Sequence, residues 1–193
     1  AATPMDDAAI AAMQPYLQHN FHNPSAAYQP AREVRKALEE ARANVASVIG
    51  AKDQEVIFTA GGTEANNIAI HSVMRQFPEG NIVVSAIEHD SVLAPAGQYD
   101  CRVAPVNERG IIDLNALEAL IDEHTVLVSV MYANNEVGTI QPIKEVASLL
   151  AEMRQKRTNG IPLYLHSDAC QAANYLDLQV QRLGVDMLTL NGG

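Results

Sequence analysis

Short apolar runs recur along this chain, and each leads into a stretch spaced for a helix. Residues 81–86 (NIVVSA), 125–131 (TVLVSVM), 163–168 (LYLHSD) and 186–190 (DMLTL) have strand length. Several are apolar at consecutive rather than alternating positions, the pattern of strands covered on both faces. Residues 55–60 (EVIFTA) and 101–106 (CRVAPV) read as two more strands. Helical spacing fills the intervals at 63–77, 90–98, Asp113 to Asp122, and 143–156. Two further helices are expected near the N-terminus. One is capped by Asp6 or Asp7 and runs to Leu17. The other runs from Ala31 to Ile49, with Val34, Leu38, Ala41, Val45 and Val48 along one side and Gly50 as its stop. Such alternation specifies an α/β fold, a three-layer α/β/α arrangement around a mostly parallel sheet.

At 193 residues and 48% hydrophobic, the chain can fill one domain, or most of one. The net charge of −10 argues against nucleic-acid binding, which needs a basic footprint. No apolar run approaches the roughly 18 residues of a membrane span, so no membrane partner is expected. The opening residues lack the charged and apolar regions of a signal peptide. Cys101 and Cys170 make neither a disulfide framework nor a zinc spacing. A reducing, cytoplasmic setting and no metal site are the expectation.

In open α/β sheets, ligands sit at the carboxyl ends of strands, and four such places are informative. In 59–67 (TAGGTEANN), two glycines turn into a helix. The free N–H groups of that helix start, with Thr63, suit a phosphate; from this stretch alone an ordinary strand-to-helix turn with a Thr cap is the favoured reading. In 86–92 (AIEHDSV), His89 is placed either to stack on an aromatic ligand and move protons or to cap a surface helix. In 132–142 (YANNEVGTIQP), an Asn pair follows a buried-looking strand, where amides hold a carboxylate or hydroxyl, or simply form a turn. In 165–174 (LHSDACQAAN), Asp168 ends an apolar strand. A carboxylate there needs a partner, and a protonated ring nitrogen is one; capping the next helix is the alternative. Together these places meet the needs of pyridoxal 5′-phosphate: a phosphate cup, a ring stacker, amides and a carboxylate for the ring nitrogen.

The stretches GGTEANN, IEHDSV, NNEVGTIQ and the Asp-x-x-Gln of 168–171 occur in one order, alongside FHNPS, EARANVASVIGA and GIIDLNALEALI. In this combination the chain resembles the cysteine desulfurases, pyridoxal-phosphate enzymes of the class V aminotransferase group, over nearly its whole length. The resemblance implies that Gly62 and Thr63 bind the cofactor phosphate. It implies that His89 stacks on the ring and serves in acid–base steps, and that Asn135 lies near the substrate carboxylate and ring hydroxyl. Asp168 is expected to pair with the pyridine nitrogen and Gln171 with the ring hydroxyl.

The family's next motif ends in the lysine that holds the cofactor covalently, which would follow Gly193. Members usually carry Ser-Gly-His before it. This chain has Asn191-Gly192-Gly193, so Asn191 and backbone N–H groups are expected to form that side of the phosphate cup. On this reading residues 1–193 are most of the large cofactor-binding domain with its N-terminal segment, incomplete at the C-terminus and without the small domain. The implied activity converts L-cysteine to L-alanine. Sulfur passes to an enzyme cysteine as a persulfide, for iron–sulfur cluster or thiolation pathways. L-cysteine, a sulfur-acceptor protein and a second subunit of a homodimer are the implied partners. A selenocysteine lyase or another class V enzyme is one alternative. A non-catalytic binding or scaffold module, favoured by the absent lysine, is the other. Neither Cys101 nor Cys170 suits the nucleophile's role, because a reactive thiol needs an electropositive, accessible setting.

Overall fold

The computed structural model describes residues 3–192, which divide into two compact units, one through Ile57 and one from Phe58 to Gly192. The first unit holds helices α1 (Asp7–Gln18) and α2 (Gln29–Ile49) and a 3-10 turn at Asp53–Glu55. The Asp6 carboxylate caps α1 by accepting from the Ala8 N–H at 2.8 Å. Gly50 ends α2 in the left-handed region, φ 69°, a conformation that glycine adopts without strain. The stripe expected along α2 is not its buried face. Ala31 and Ala46 are buried, whereas Leu38 and Val48 are exposed. Helical spacing identified the helix, but two helices and a turn cannot enclose the whole apolar side.

The strand expected at 55–60 is absent. Glu55 closes the 3-10 turn, and residues 56–60 join no ladder. Ile57 and Phe58 are exposed. Valine, isoleucine and phenylalanine favour a pleated surface only where a neighbouring strand supplies it.

The second unit runs α3 (Gly62–Gln76), β1 (Asn81–Ser85), α4 (Asp90–Ala96), β2 (Asp100–Ala104), α5 (Leu114–Leu120), β3 (Thr125–Ser129), α6 (Ile143–Lys156), β4 (Tyr164–Asp168), α7 (Val180–Leu183) and β5 (Met187–Thr189). The five strands form one parallel sheet in the order β2-β1-β3-β4-β5. Helices cover both faces, as the apolar runs require. Ile82, Val84, Val126 and Leu127 pack with Ile70, Val73 and Met74 of α3 and Val92 and Ala96 of α4. Val83, Val128 and Leu165 pack with Leu117 of α5, Val146 and Leu150 of α6, and Leu183 of α7. Neighbouring strand residues thus face opposite layers. One irregularity breaks this: Asn81 pairs with Thr125 but Ile82 with Leu127, so Val126 is extra and joins Leu127 on one side.

The sheet order fixes where a ligand can sit. The chain leaves β1 for β2 on one side, then crosses to β3 on the other. Connections therefore diverge at the carboxyl ends of β1 and β3 and open a crevice there. Leu150 tests the packing that supports this geometry, since it is fully buried beneath the sheet. Leu150→Ala should cost about 2–5 kcal/mol, measured as a lower urea midpoint with an unchanged denaturant slope.

Candidate active site

The crevice is closed at its base by two links between the segments after β1 and β3. The Met131 N–H donates to Glu88 Oε1 at 2.6 Å, and the Asn134 amide donates to the Ile87 carbonyl at 2.9 Å. The two asparagines of 134–135 separate in role. Asn134 folds the loop, with its Oδ1 accepting from the Glu136 and Val137 N–H groups at 2.8 and 2.9 Å. Asn135 is exposed and makes no side-chain hydrogen bond among the described residues. The turn reading thus holds for the first amide and leaves the second available to a ligand.

Asp168 ends β4 and is buried. Its Oδ2 accepts from Asn66 Nδ2 at 2.7 Å and its Oδ1 from the Cys170 N–H at 2.9 Å. Among the described residues no Lys, Arg or His pairs with it. Asn66 donates a second time, to Ser91 Oγ at 2.9 Å, and Ser91 lies 2.8 Å from His89 Nδ1. One polar chain therefore joins α3, β4 and α4. His89 is both the N-cap of α4, with Nδ1 accepting from the Ser91 N–H at 3.0 Å, and an exposed ring at the crevice. The capping reading holds, and because the cap uses Nδ1 it does not exclude a ligand at Nε2.

Helix α3 begins at Gly62 rather than Thr63, with Gly61 as its N-cap and no side-chain cap. Its first N–H groups have no intrahelical acceptor, and its dipole favours an anion. Thr63 is exposed in the first turn. A Cβ on Gly62 would lie 2.7 Å from Cys170 Sγ, so glycine is required by the close approach of α3 to the segment after β4. Gln171 is half-buried one residue farther on, and Asn191 is exposed just past β5. Asn135, Gln171 and Asn191 share the carboxyl end of the sheet with Asp168.

Glu88 carries no signal in the sequence beyond its place next to His89. It is buried, accepts from Ser85 Oγ and the Met131 N–H, each at 2.6 Å, and leaves Oε2 unpartnered among the described residues. Burial raises its carboxyl to about 8; the two hydrogen bonds oppose this and the Asp168 charge adds to it. Protonated Glu88 keeps a second negative charge away from Asp168 at neutral pH. His166, also buried, spans three strands: Nδ1 lies 2.8 Å from Ser129 Oγ and Nε2 3.0 Å from Thr189 Oγ1. Burial lowers it to about 4, so it stays neutral. Asn66 had a readable signal. Positions 66, 69, 70, 73 and 74 form the buried stripe of α3, and a polar residue heads it.

Burial, followed by the Asp168 charge, pushes the Cys170 thiol well above its ordinary range, and burial with the Asp100 charge raises Cys101. Neither is an activated nucleophile.

The donor set fits pyridoxal phosphate. A buried carboxylate with no counter-cation among the described residues matches a protonated ring nitrogen, and an uncapped helix start beside a glycine cradle matches a phosphate. A family model described as aminotransferase class-V matches residues 1–192. The chain belongs to the class V aminotransferase family. Within it, a cysteine desulfurase of Dictyoglomus turgidum is 38% identical over 198 residues, covering 99% of this chain and 48% of the relative. A cysteine desulfurase of Rattus norvegicus is 40% identical over 200 residues, covering 100% of this chain and 43% of the relative. Among solved structures, a NifS-like protein superposes with TM-score 0.91 at 31% identity, covering 98% of this chain and 52% of that one. A structure described as SspA in complex with cysteine gives TM-score 0.89 at 32% identity, covering 99% and 55%. The chain spans about half the length of the relatives it matches.

Two outcomes follow from this class V geometry. Gly62→Ala should lose about 1–3 kcal/mol from overpacking against Cys170, more than the helix propensity alanine gains. In a Cys170→Ala background the same change should be neutral or stabilising, read by a double-mutant cycle in urea. For Glu88, the unfolded carboxyl releases its proton near 4.5 and the folded one near 8. The folded state binds more protons across that window, so this group's contribution to stability falls as pH rises through it. Glu88→Gln keeps the neutral shape and should escape the fall. Its melting temperature should match the parent's at about pH 4 and exceed it at about pH 9.

Proposed function

We propose that this chain is most of the cofactor-binding large domain, with its N-terminal segment, of a pyridoxal-phosphate-dependent cysteine desulfurase. The enzyme takes L-cysteine to L-alanine and passes the sulfur to one of its own cysteines as a persulfide, for iron–sulfur cluster assembly or thiolation. The observation that carries this reading is the buried Asp168 carboxylate at the carboxyl end of the sheet, held by two neutral donors and by no Lys, Arg or His among the described residues. The names of the relatives support the choice of reaction within the family, and the SspA structure described with cysteine supports the substrate.

When bound, the cofactor supplies an electron sink for charge developing beside the substrate amine. The residues of this chain do the rest. The start of α3, with Gly62 and Thr63, binds the phosphate, and Asn191 closes the cup from β5. Asp168 keeps the ring nitrogen protonated by offering it a carboxylate in a dry setting. Gln171 donates to the ring hydroxyl. His89 covers the ring and moves protons through its outward nitrogen, and Asn135 orients the substrate carboxylate. The sulfur-accepting cysteine is neither Cys101 nor Cys170, whose thiols are held protonated. A homodimer, a separate sulfur-acceptor protein and a cytoplasmic setting belong to this reading through the family. Among the described residues, no helix is long and apolar enough to cross a membrane.

The test is alanine formation from L-cysteine by the full-length protein loaded with pyridoxal phosphate. Asp168→Asn should still take up cofactor but turn over about 100-fold more slowly or worse, as expected when a preorganised charge is removed. Absence of alanine in the parent, or parent-like turnover in Asp168→Asn, overturns the assignment.

A further inference from the structure

The polar chain from Asp168 to His89 holds two residues that the cofactor reading does not use, Asn66 and Ser91. Asn66 is buried at 1% exposure, and both of its recorded bonds leave from the same nitrogen, to Asp168 Oδ2 and to Ser91 Oγ. Its carbonyl oxygen is buried with no partner among the described residues. Turning the amide over would not relieve this, because it would place that oxygen against the Asp168 carboxylate, two acceptors facing each other. The orientation is thus dictated by Asp168, and the orphaned oxygen is the penalty for spanning two acceptors at once.

Ser91 passes the constraint on. Its hydroxyl accepts from Asn66, so its own proton is free to point to His89 Nδ1 at 2.8 Å. The Ser91 backbone N–H, which can only donate, reaches the same nitrogen at 3.0 Å. A hydrogen on Nδ1 would face both donors. The ring's proton in the neutral form therefore belongs on Nε2, the nitrogen not engaged by α4.

We propose that Asn66 and Ser91 are positioning residues, forming a relay from the Asp168 carboxylate to His89 that fixes the ring as its Nε2–H tautomer. The proposal concerns the same site as the desulfurase reading but needs only the cofactor-free protein. It gives the two ends of the site a physical connection. A change at Asp168 reorients the Asn66 amide, which resets the Ser91 hydroxyl and so the field at Nδ1. His89 then offers the site a proton from a defined atom, at a ring angle set by two donors rather than one.

Nitrogen-15 NMR of the His89 ring in the cofactor-free, full-length protein tests this. The parent should show the Nε2–H tautomer, and Asp168→Asn should shift the Nδ1 resonance. In a Ser91→Ala background, where only the backbone donor remains, Asp168→Asn should leave that resonance in place. Asn66→Ala should uncouple the two in the same way. Ser91→Ala alters one hydroxyl in a first helical turn, so it carries the test if the Asn66 variant fails to fold. An Nδ1–H tautomer in the parent overturns the proposal. So does an Asp168→Asn response that is absent in the parent or persists undiminished in Ser91→Ala. Because the readout uses no substrate, failure to desulfurate cysteine would leave it standing, and its own failure would leave the desulfurase assay untouched.

Discussion

The arrangement of the second unit turns on a carboxylate that has been taken out of water with no Lys, Arg or His partner among the described residues. Burying such a group is expensive unless hydrogen bonds replace its hydration. Asp168 receives them from α3 through Asn66 and from its own loop through the Cys170 N–H. Each donor imposes a demand of its own. Asn66 must sit on the inner stripe of α3, which aims the start of that helix at the loop after β4. The Cys170 N–H requires a tight turn directly after the strand, and that turn brings Sγ so close to α3 that Gly62 can carry no side chain. Glu88, the other buried carboxyl nearby, holds its proton to about pH 8. Glu88 thereby adds no second negative charge beside Asp168 at neutral pH, a condition under which a ring nitrogen gains more from the aspartate.

The sheet supplies the location. All five strands run parallel, so their carboxyl ends and the loops that follow lie along one edge. The reversal of direction between β1 and β3 parts two of those loops. The Glu88–Met131 and Asn134–Ile87 bonds then hold the parted loops at a fixed spacing. His166 performs a related task in the interior, tying β3 to β5 through Ser129 and Thr189. Its neutrality lets it bridge two hydroxyls without adding charge near Asp168.

Much of this was legible from the residues. Consecutive apolar positions in 81–86 and 125–131 announced doubly covered parallel strands, and the stretches after them meet at the carboxyl end of the sheet. Where the reading failed, pairing was the cause. Residues 55–60 have the composition of a strand, but strand composition creates no ladder without a neighbour. The apolar side of α2 likewise has helical spacing, yet most of it finds no cover within its own unit. The Asn pair at 134–135 could not be divided from sequence, since both amides suit a turn and a ligand equally. Only the position of the Ile87 carbonyl, far away in the chain, assigns the first of them to the fold.

The sequence by itself determined the layer architecture, because apolar periodicity and strand length are local properties that burial must respect. It also determined which side chains stand at the strand ends, and therefore the cofactor that those ends would suit. Tertiary structure alone decided the electrostatics. That Glu88 is neutral, that Asp168 has no Lys, Arg or His partner among the described residues, that Asn66 spans 102 residues to reach it, and that His89 has one nitrogen engaged all depend on how the packed segments meet. Desolvation and hydrogen-bond geometry are properties of the packed neighbourhood rather than of any residue, and no local pattern encodes them.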